Sequence, residues 1–244
     1  MRRAKNLIKL KVVFALLALA IIVSSCADDN GNEIEVEALT TYELSVVDYF
    51  KDVALGFEFG NASEITRKWT GDMNVFVKGA QDANLLAELE RIKNELNQLA
   101  TDNFEMNIVD SEAGANYIIF FGNSADYVNL YPLQSNLVDS NWGLFSIFWN
   151  GNQQLNGGHM YIDIERANEQ EQKHLLREEL TQSLGLAKDS PEYDDSIFQQ
   201  EWTRTNEYAQ IDRDIIKLLY HPEVSTGLNA IQVDSVLKSI LSKN

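Results

Sequence analysis

The sequence predicts an α+β domain in which one twisted, mixed sheet packs against two long helices. Two segments, 82–101 and about 168–186, repeat apolar residues at the spacing of an amphipathic helix. Shorter segments alternate apolar and polar residues or are apolar throughout, as half-buried and fully buried strands are. The predicted order is helix, strand, helix, three strands, helix, loop and further helices, which is typical of an α+β layout.

The first half of the domain contains two predicted helices and three predicted strands. Residues 39–59 carry apolar residues at helical spacing and end in glycines. Residues 68–79 alternate and stop at a glycine, and residues 82–101 form the clearest amphipathic helix. Residues 103–109 alternate again, whereas residues 115–122 are a continuous β-forming run, which predicts a central buried strand.

The second half contains the remaining strand and the helices that follow it. Residues 141–156 are aromatic and then turn-like, and residues 157–165 alternate after a glycine-rich turn, which predicts a strand. The helix at about 168–186 comes next. The last helical region, about 199–244, is predicted to be a small lobe of a single domain, 39–244.

The chain is acidic, with a formal net charge of −17. Such a surface repels phosphate backbones, so no nucleic-acid partner is expected. A single cysteine excludes an intrachain disulfide, and the fold must therefore be stabilised by its core.

The N-terminus has the features of a targeting segment. Basic residues precede an apolar run from Val12 to Val23, and Cys26 follows two serines. Residues 1–25 therefore resemble a bacterial lipoprotein signal peptide, which implies lipidation of Cys26 and a membrane partner. An ordinary signal peptide or a membrane anchor with an incidental cysteine are the alternatives.

Residues 26–38 are polar and acidic, and we predict that they form a flexible tether. An acidic stretch directly after a lipidated cysteine resembles the surface-export signal of Bacteroidota lipoproteins. This resemblance implies an outer-membrane lipoprotein of the cell envelope whose domain is exposed at the surface.

The second long helix carries the most informative motif, EELTQSLGLAK, from Glu178 to Lys188. It resembles the active-site helix of metzincin zinc proteases, in which His-Glu-x-x-His is followed by a turn glycine and a third ligand. On that pattern Glu179 is the general base and Gly185 is the turn glycine. Glu178, Gln182 and Lys188 fall on the three zinc-ligand positions.

Neighbouring segments extend the resemblance over residues 115–221. The strand before the helix resembles the edge strand that pairs with substrate, and its residues are His159, Met160, Tyr161, Ile162 and Asp163. The turn Ser196-Ile197-Phe198 resembles the Ser-Ile-Met turn beneath the metal. Residues 177–182, Arg-Glu-Glu-Leu-x-Gln, are also similar to an uncharacterised family of secreted bacterial proteins. A zincin-type fold is what these resemblances imply.

The residue types at the ligand positions argue against a catalytic zinc. Zinc prefers histidine, cysteine and carboxylate ligands, whereas this chain offers a carboxylate, an amide and an ammonium group. We therefore expect no cofactor, although zinc is not excluded. Without a metal, Glu179 has no acidified water to deprotonate.

Three interpretations of the motif remain open. One is a displaced metal site formed by the three histidines, His159, His174 and His221. Another is a hydrolase in which Glu179 acts as acid or base with a second carboxylate, Asp163, Asp189 or Asp194. The third is a polar network that replaces the metal as a structural element, formed by Glu178, Gln182 and Lys188.

The leading hypothesis is an inactive metalloprotease-like domain on a lipidated tether, acting as a binding or envelope-scaffold module. An extended peptide or an envelope protein is the expected partner, bound at the predicted edge strand 159–163. The aromatic residues of 142–149 either line one wall of the cleft or pack in the core. A peptidase-like hydrolase that uses Glu179, with an atypical metal site or none, is the alternative.

Overall fold

The computed structural model describes residues 38–80 and 82–243. The predicted signal peptide, Cys26 and all but the last residue of the predicted tether lie outside the described residues. The described α-helices are α1 Thr41–Ala54, α2 Ala83–Leu99, α3 Ser124–Leu130, α4 Glu169–Gln182, α5 Gln210–Leu219 and α6 Ala230–Leu241. The described strands are β1 Lys68–Trp69, β2 Met73–Gly79, β3 Met106–Ile108, β4 Tyr117–Gly122, β5 Gly143–Trp149 and β6 Gln154–Asp163.

The strands form one mixed sheet in which parallel pairs dominate. Its order is β1-β6-β4-β2-β3, all parallel, and β5 pairs antiparallel with β6. Leu155 of β6 pairs with Trp69 of β1 and also with Trp149 of β5, so β1 and β5 lie on opposite sides of β6. The α+β class with a mixed sheet is confirmed, and β5 is the edge strand on one side.

The prediction that 159–163 is an edge strand is wrong. These residues belong to β6, which is hydrogen-bonded to β4 on one side and to β5 on the other. All five residues are buried, because helices and loops cover both faces of the sheet here. The edge strand is instead β5, which comes from the aromatic segment that precedes β6.

Helices α2 and α4 correspond to the two helices predicted to be long, and they pack against each other, while α4 also packs on β5 and β6. Leu85, Leu89, Ile92 and Leu96 of α2 recur at helical spacing and are all buried, as predicted. Helix α4 begins at a capping box, in which Asn168 and Glu171 satisfy each other's backbone N–H groups.

The C-terminal helices do not form a lobe of their own. Helices α5 and α6 both pack on α1, and their apolar side chains belong to the same continuous core as the sheet. The predicted lobe at 199–244 is thus part of the main core, because the N-terminal helix α1 supplies the apolar face that these helices need. None of the helices in the described ranges is long and apolar enough to cross a membrane.

Candidate functional site

The end of α4 is shaped by a glycine turn. Gly185 has a φ of +115°, and a Cβ atom there would lie 2.0 Å from the carbonyl oxygen of Arg67. Only glycine accepts both the backbone angle and this close approach to the neighbouring chain. The turn directs the chain from α4 into the loop that carries Asp189.

A continuous cleft lies beside this turn, between α4, the edge strand β5 and the loop 57–62. It consists of two adjoining cavities of about 580 and 590 Å³. Both cavities are lined by Glu58, Asn141, Gly143 and Glu179, so the two meet at the Glu179 side chain. We call them the acidic half, toward Glu178 and Asp189, and the apolar half, along β5.

Glu179 stands at the centre of the cleft. Only 9% of its surface is exposed, and no residue within the described ranges donates a hydrogen bond to its carboxyl group. It lies tight against β5, since a Cβ atom on Gly143 would come within 2.6 Å of Glu179 Oε1. Burial, and then the nearby charges of Glu178 and Asp189, raise the pKa of Glu179 well above its ordinary value. Burial therefore favours the protonated form of this carboxyl group.

Asp189, not Lys188, completes the site. Gln182 Nε2 donates to Asp189 Oδ1 at 2.6 Å. Burial and the charge of Glu178 raise the pKa of Asp189 to about 7. The prediction that Lys188 joins Glu178 and Gln182 in one network is wrong: the Lys188 backbone N–H donates to Val53, and its ammonium faces Asp52 at 3.7 Å. Because of the turn at Gly185, the residue that enters the site is Asp189, one position after the predicted Lys188.

Glu178 is paired with a histidine on the same helix face. His174 Nε2 lies 3.2 Å from Glu178 Oε2, and Nδ1 contacts the carbonyl oxygen of Thr205 at 2.7 Å. Burial alone would lower the pKa of His174, but the hydrogen bond and charge of Glu178 outweigh it, and the pKa is raised. The pair therefore places the imidazole of His174 against the carboxyl group of Glu178 in the lining of the acidic half.

The three histidines do not come together, so the displaced metal site is wrong. His159 packs flat on Tyr131 behind the sheet and hydrogen-bonds to Tyr127, and burial lowers its pKa to about 4. His221 follows α5, away from the cleft residues. Within the described residues, no three His, Cys, Asp or Glu side chains are grouped to hold a metal ion.

Of the carboxylates considered as a partner for Glu179, the structure brings only Asp189 to the cleft. Asp163 is held by Tyr161 and Arg166 at the end of β6. Asp194 lies beyond the cleft lining, near Gln199 at 3.5 Å.

The turn Ser196-Ile197-Phe198 is fully buried and ties the loop after α4 to α5. Ser196 Oγ donates to Asp212 Oδ1 at 2.6 Å, and the Ser190 N–H donates to the carbonyl oxygen of Phe198 at 2.8 Å. Burial raises the pKa of Asp212 to about 6, even though the hydrogen bonds from the Ser196 hydroxyl and from the backbone N–H groups of Ile197 and Ala209 oppose the shift. The turn therefore positions the loop between Ser190 and Gln200, which closes the far side of the acidic half.

Residues 44–239 match the family described as "Protein of unknown function (DUF2927)". The chain belongs to this family. The matched span runs from α1 to α6 and includes the whole cleft. No curated protein matches the chain.

Sequence reasoning missed several members of the cleft, among them Glu58, Gly143 and Trp202. Glu58 follows a glycine turn after α1, and Trp202 lies in an irregular loop, so neither belongs to a periodic pattern. Both enter the cleft only through tertiary packing. Gly143 begins the aromatic strand β5. A glycine within a strand predicts a close approach by another part of the chain, and this was the one signal in the sequence for the contact with Glu179.

The raised pKa of Asp189 predicts a pH dependence of stability. The native state holds a proton that the unfolded chain releases near pH 4, so the free energy of unfolding falls as pH rises from about 4 to about 7. Because Asp189 is partly exposed, we expect the contribution to be about 2 kcal/mol at most. Asp189→Asn should remove it, leaving the variant more stable than the parent at pH 8 and equal to it at pH 4. Urea unfolding at both pH values measures this, and a parallel pH dependence of the two proteins contradicts the assignment.

Proposed function

We propose that this chain is an inactive metzincin-like domain on a lipid anchor, and that it binds an extended peptide as an added strand on β5. The observation that carries the proposal is the free edge of β5, which faces the apolar half of the cleft. Strand addition is a common way to bind peptides, because the main-chain hydrogen bonds need no particular sequence.

The pairing register shows which backbone groups of β5 are free. The Asp163 N–H donates to the carbonyl oxygen of Trp142, so Leu144 and Ser146 point their backbone groups at β6. Phe145 and Ile147 consequently point theirs at the cleft. No residue of the described ranges hydrogen-bonds to these outward groups. A bound peptide would satisfy them, and a β-bulge between Phe148 and Trp149 limits the register at one end.

Aromatic side chains form the wall of the apolar half. Phe59, Phe148 and Trp149 are 46%, 54% and 37% exposed, which is unusual for such large apolar groups in one cleft. Trp149 stacks on Phe57 at 5.4 Å, and the Arg67 guanidinium lies 4.5 Å from its ring. The wall is thus held in place before a ligand arrives, which lowers the entropic cost of binding.

The donor set does not fit the zinc that a metzincin would hold. The Gln182 amide nitrogen is committed to Asp189, Glu178 is paired with His174, and Lys188 faces away. An amide oxygen is also a poor zinc ligand. The proposed domain therefore uses no resident cofactor, and elemental analysis of protein purified without chelators tests this point.

A peptidase-like hydrolase is the second candidate, and the raised pKa of Glu179 beside the edge strand favours it. A carboxyl group with a raised pKa, next to a bound peptide, is suited to act as a general acid. Asp189, with its pKa of about 7, is a neighbouring carboxyl group that exchanges a proton near neutral pH.

The anchor belongs to the same proposal. Lipidation of Cys26 would hold the domain at the outer membrane of the cell envelope, facing outward on its tether. Peptides and envelope proteins are the partners available there, and the net charge of −17 makes nucleic acid an unsuitable one.

Proline at position 145 tests the edge. Phe145→Pro removes an N–H that points at the cleft while leaving the β5–β6 hydrogen bonds in place, so it should weaken peptide binding at least about ten-fold. Phe145→Ala loses the same ring but keeps the N–H, and is the matched control. Binding is measured on an immobilised library of eight-residue peptides with the full chain.

The proposal requires peptides that bind the parent and Phe145→Ala but not Phe145→Pro. If no peptide binds, or if both variants bind alike, β5 is not the binding edge. Cleavage of bound peptides that Glu179→Gln abolishes would establish the hydrolase instead.

A further inference from the structure

The acidic half of the cleft carries a concentration of carboxyl groups that the proposed function does not explain. Five carboxyl side chains line it without a basic partner in the cavity other than His174: Glu58, Glu178, Glu179, Asp189 and Glu201. A sixth, Glu171, is paired with Arg204 at 2.9 Å. Within the described residues, no lysine or arginine lines this cavity.

The clearest sign that this half receives a ligand is Glu179. The residue is only 9% exposed, its side chain lines both halves of the cleft, and its carboxyl group accepts no hydrogen bond from the described residues. A buried carboxyl group without a hydrogen-bond partner lowers the stability of a folded protein, and most proteins therefore give such a group a partner. A ligand that donates hydrogen bonds into the cavity would supply what is missing.

Two tryptophans define the chemistry of that ligand. Trp142 and Trp202 meet edge to face at 5.7 Å in the lining, and Trp202 is 55% exposed. Aromatic faces next to carboxylates favour an organic cation, which gains from both the ring electrons and the charge. A bare metal ion would need three convergent oxygen or nitrogen ligands, which the described residues do not group.

We propose that the acidic half binds a cationic nitrogen, an ammonium or guanidinium group, carried by the peptide on β5. This rests on the proposed function, because the two halves meet at Gly143, where β5 begins. A strand added to β5 reaches the acidic half at that end and places there either a basic side chain or its own terminal ammonium. The site selects basic peptides, and the overall negative charge of the chain steers them toward it.

The test compares paired peptides on the full chain. The library peptide that binds best is made with lysine and with norleucine at each position in turn, acetylated at the N-terminus, and again with a free terminal amine. At one position lysine should bind at least ten-fold more tightly than norleucine, or the free amine should give that gain. The arm that shows the gain identifies the source of the cation.

Variants that replace carboxyl groups with neutral amides test whether the gain in affinity arises in the acidic half. Glu178→Gln combined with Asp189→Asn should reduce the gain to under about three-fold, because both carboxylates line the acidic half. Glu105→Gln makes the same kind of charge change on an exposed residue outside the cleft and should leave the gain intact. A gain that survives in the double variant overturns the assignment.

A second probe separates this inference from the proposed function. n-Butylammonium and n-butylguanidinium carry the cation without a peptide backbone, and ligand-observed NMR measures their binding. If they bind the parent but not the double variant while no peptide binds, the cation site stands and the β5 proposal fails. If peptides bind β5 but lysine, norleucine and free amine are equivalent, the β5 proposal stands and the cation site is overturned.

Discussion

Replacing Arg177 with leucine is expected to lower the free energy of unfolding by about 3–5 kcal/mol. Arg177 is fully buried in α4, and its guanidinium bonds to Glu88 and Glu95 of α2 at 3.2 and 3.1 Å. The group also lies 4.4 Å from the ring of Tyr208. Leucine leaves both carboxylates without their buried partner. Arg91, which pairs with both, and Arg213, which lies 3.6 Å from Glu95, then compensate them from the solvent side.

Urea unfolding of two further variants makes the result specific. Lys173→Met removes an exposed ion pair to Glu169 on the same helix, and the stability should change little. Arg177→Leu combined with Glu88→Gln and Glu95→Gln removes the uncompensated charges and should recover part of the loss. A cost of Arg177→Leu below about 1 kcal/mol would mean that the cluster does not hold α2 against α4.

The position of Arg177 also separates what the sequence predicts from what it does not. The helices were predictable because Leu85, Leu89 and Ile92 repeat at helical spacing, and β4 was predictable because Tyr117 to Gly122 is a continuous apolar run. The buried ion cluster was not, since its members lie more than 80 residues apart in sequence. Local patterns hold no information on which charges meet.

The same distinction explains the errors at the cleft. The order of strands is a long-range property, so the alternation in β6 could not show that β5 would cover its outer edge. The sequence of β5 does not alternate clearly between apolar and polar residues, since apolar residues lie at its buried positions, Leu144 and Ile147, and also at its exposed positions, Phe148 and Trp149. Asp189 enters the site where the motif predicted Lys188, because of the turn geometry at Gly185. A motif alignment only counts residues and does not resolve this geometry.

Gly185→Ala is the second change with a large expected effect, a loss of more than about 3 kcal/mol. The added Cβ would lie 2.0 Å from the Arg67 carbonyl oxygen and 3.0 Å from its carbon. Both are backbone atoms that lead directly into β1, so relief requires moving that strand or the turn. The φ of +115° adds strain, since side-chain-bearing residues rarely adopt it.

Substitutions at two other glycines of the same domain separate the cost of the positive φ from the cost of the close contact with Arg67. Gly60 has a φ of +98° but open space around the added atom, whereas Gly151 has open space and no positive φ. We expect Gly151→Ala to be nearly neutral, Gly60→Ala to cost about 1–2 kcal/mol, and Gly185→Ala to exceed their sum. Equal losses for Gly60→Ala and Gly185→Ala would show that the contact with Arg67 costs nothing. A larger loss for Gly185→Ala would instead show that the close contact between the α4 turn and Arg67 is needed for the stability of the domain.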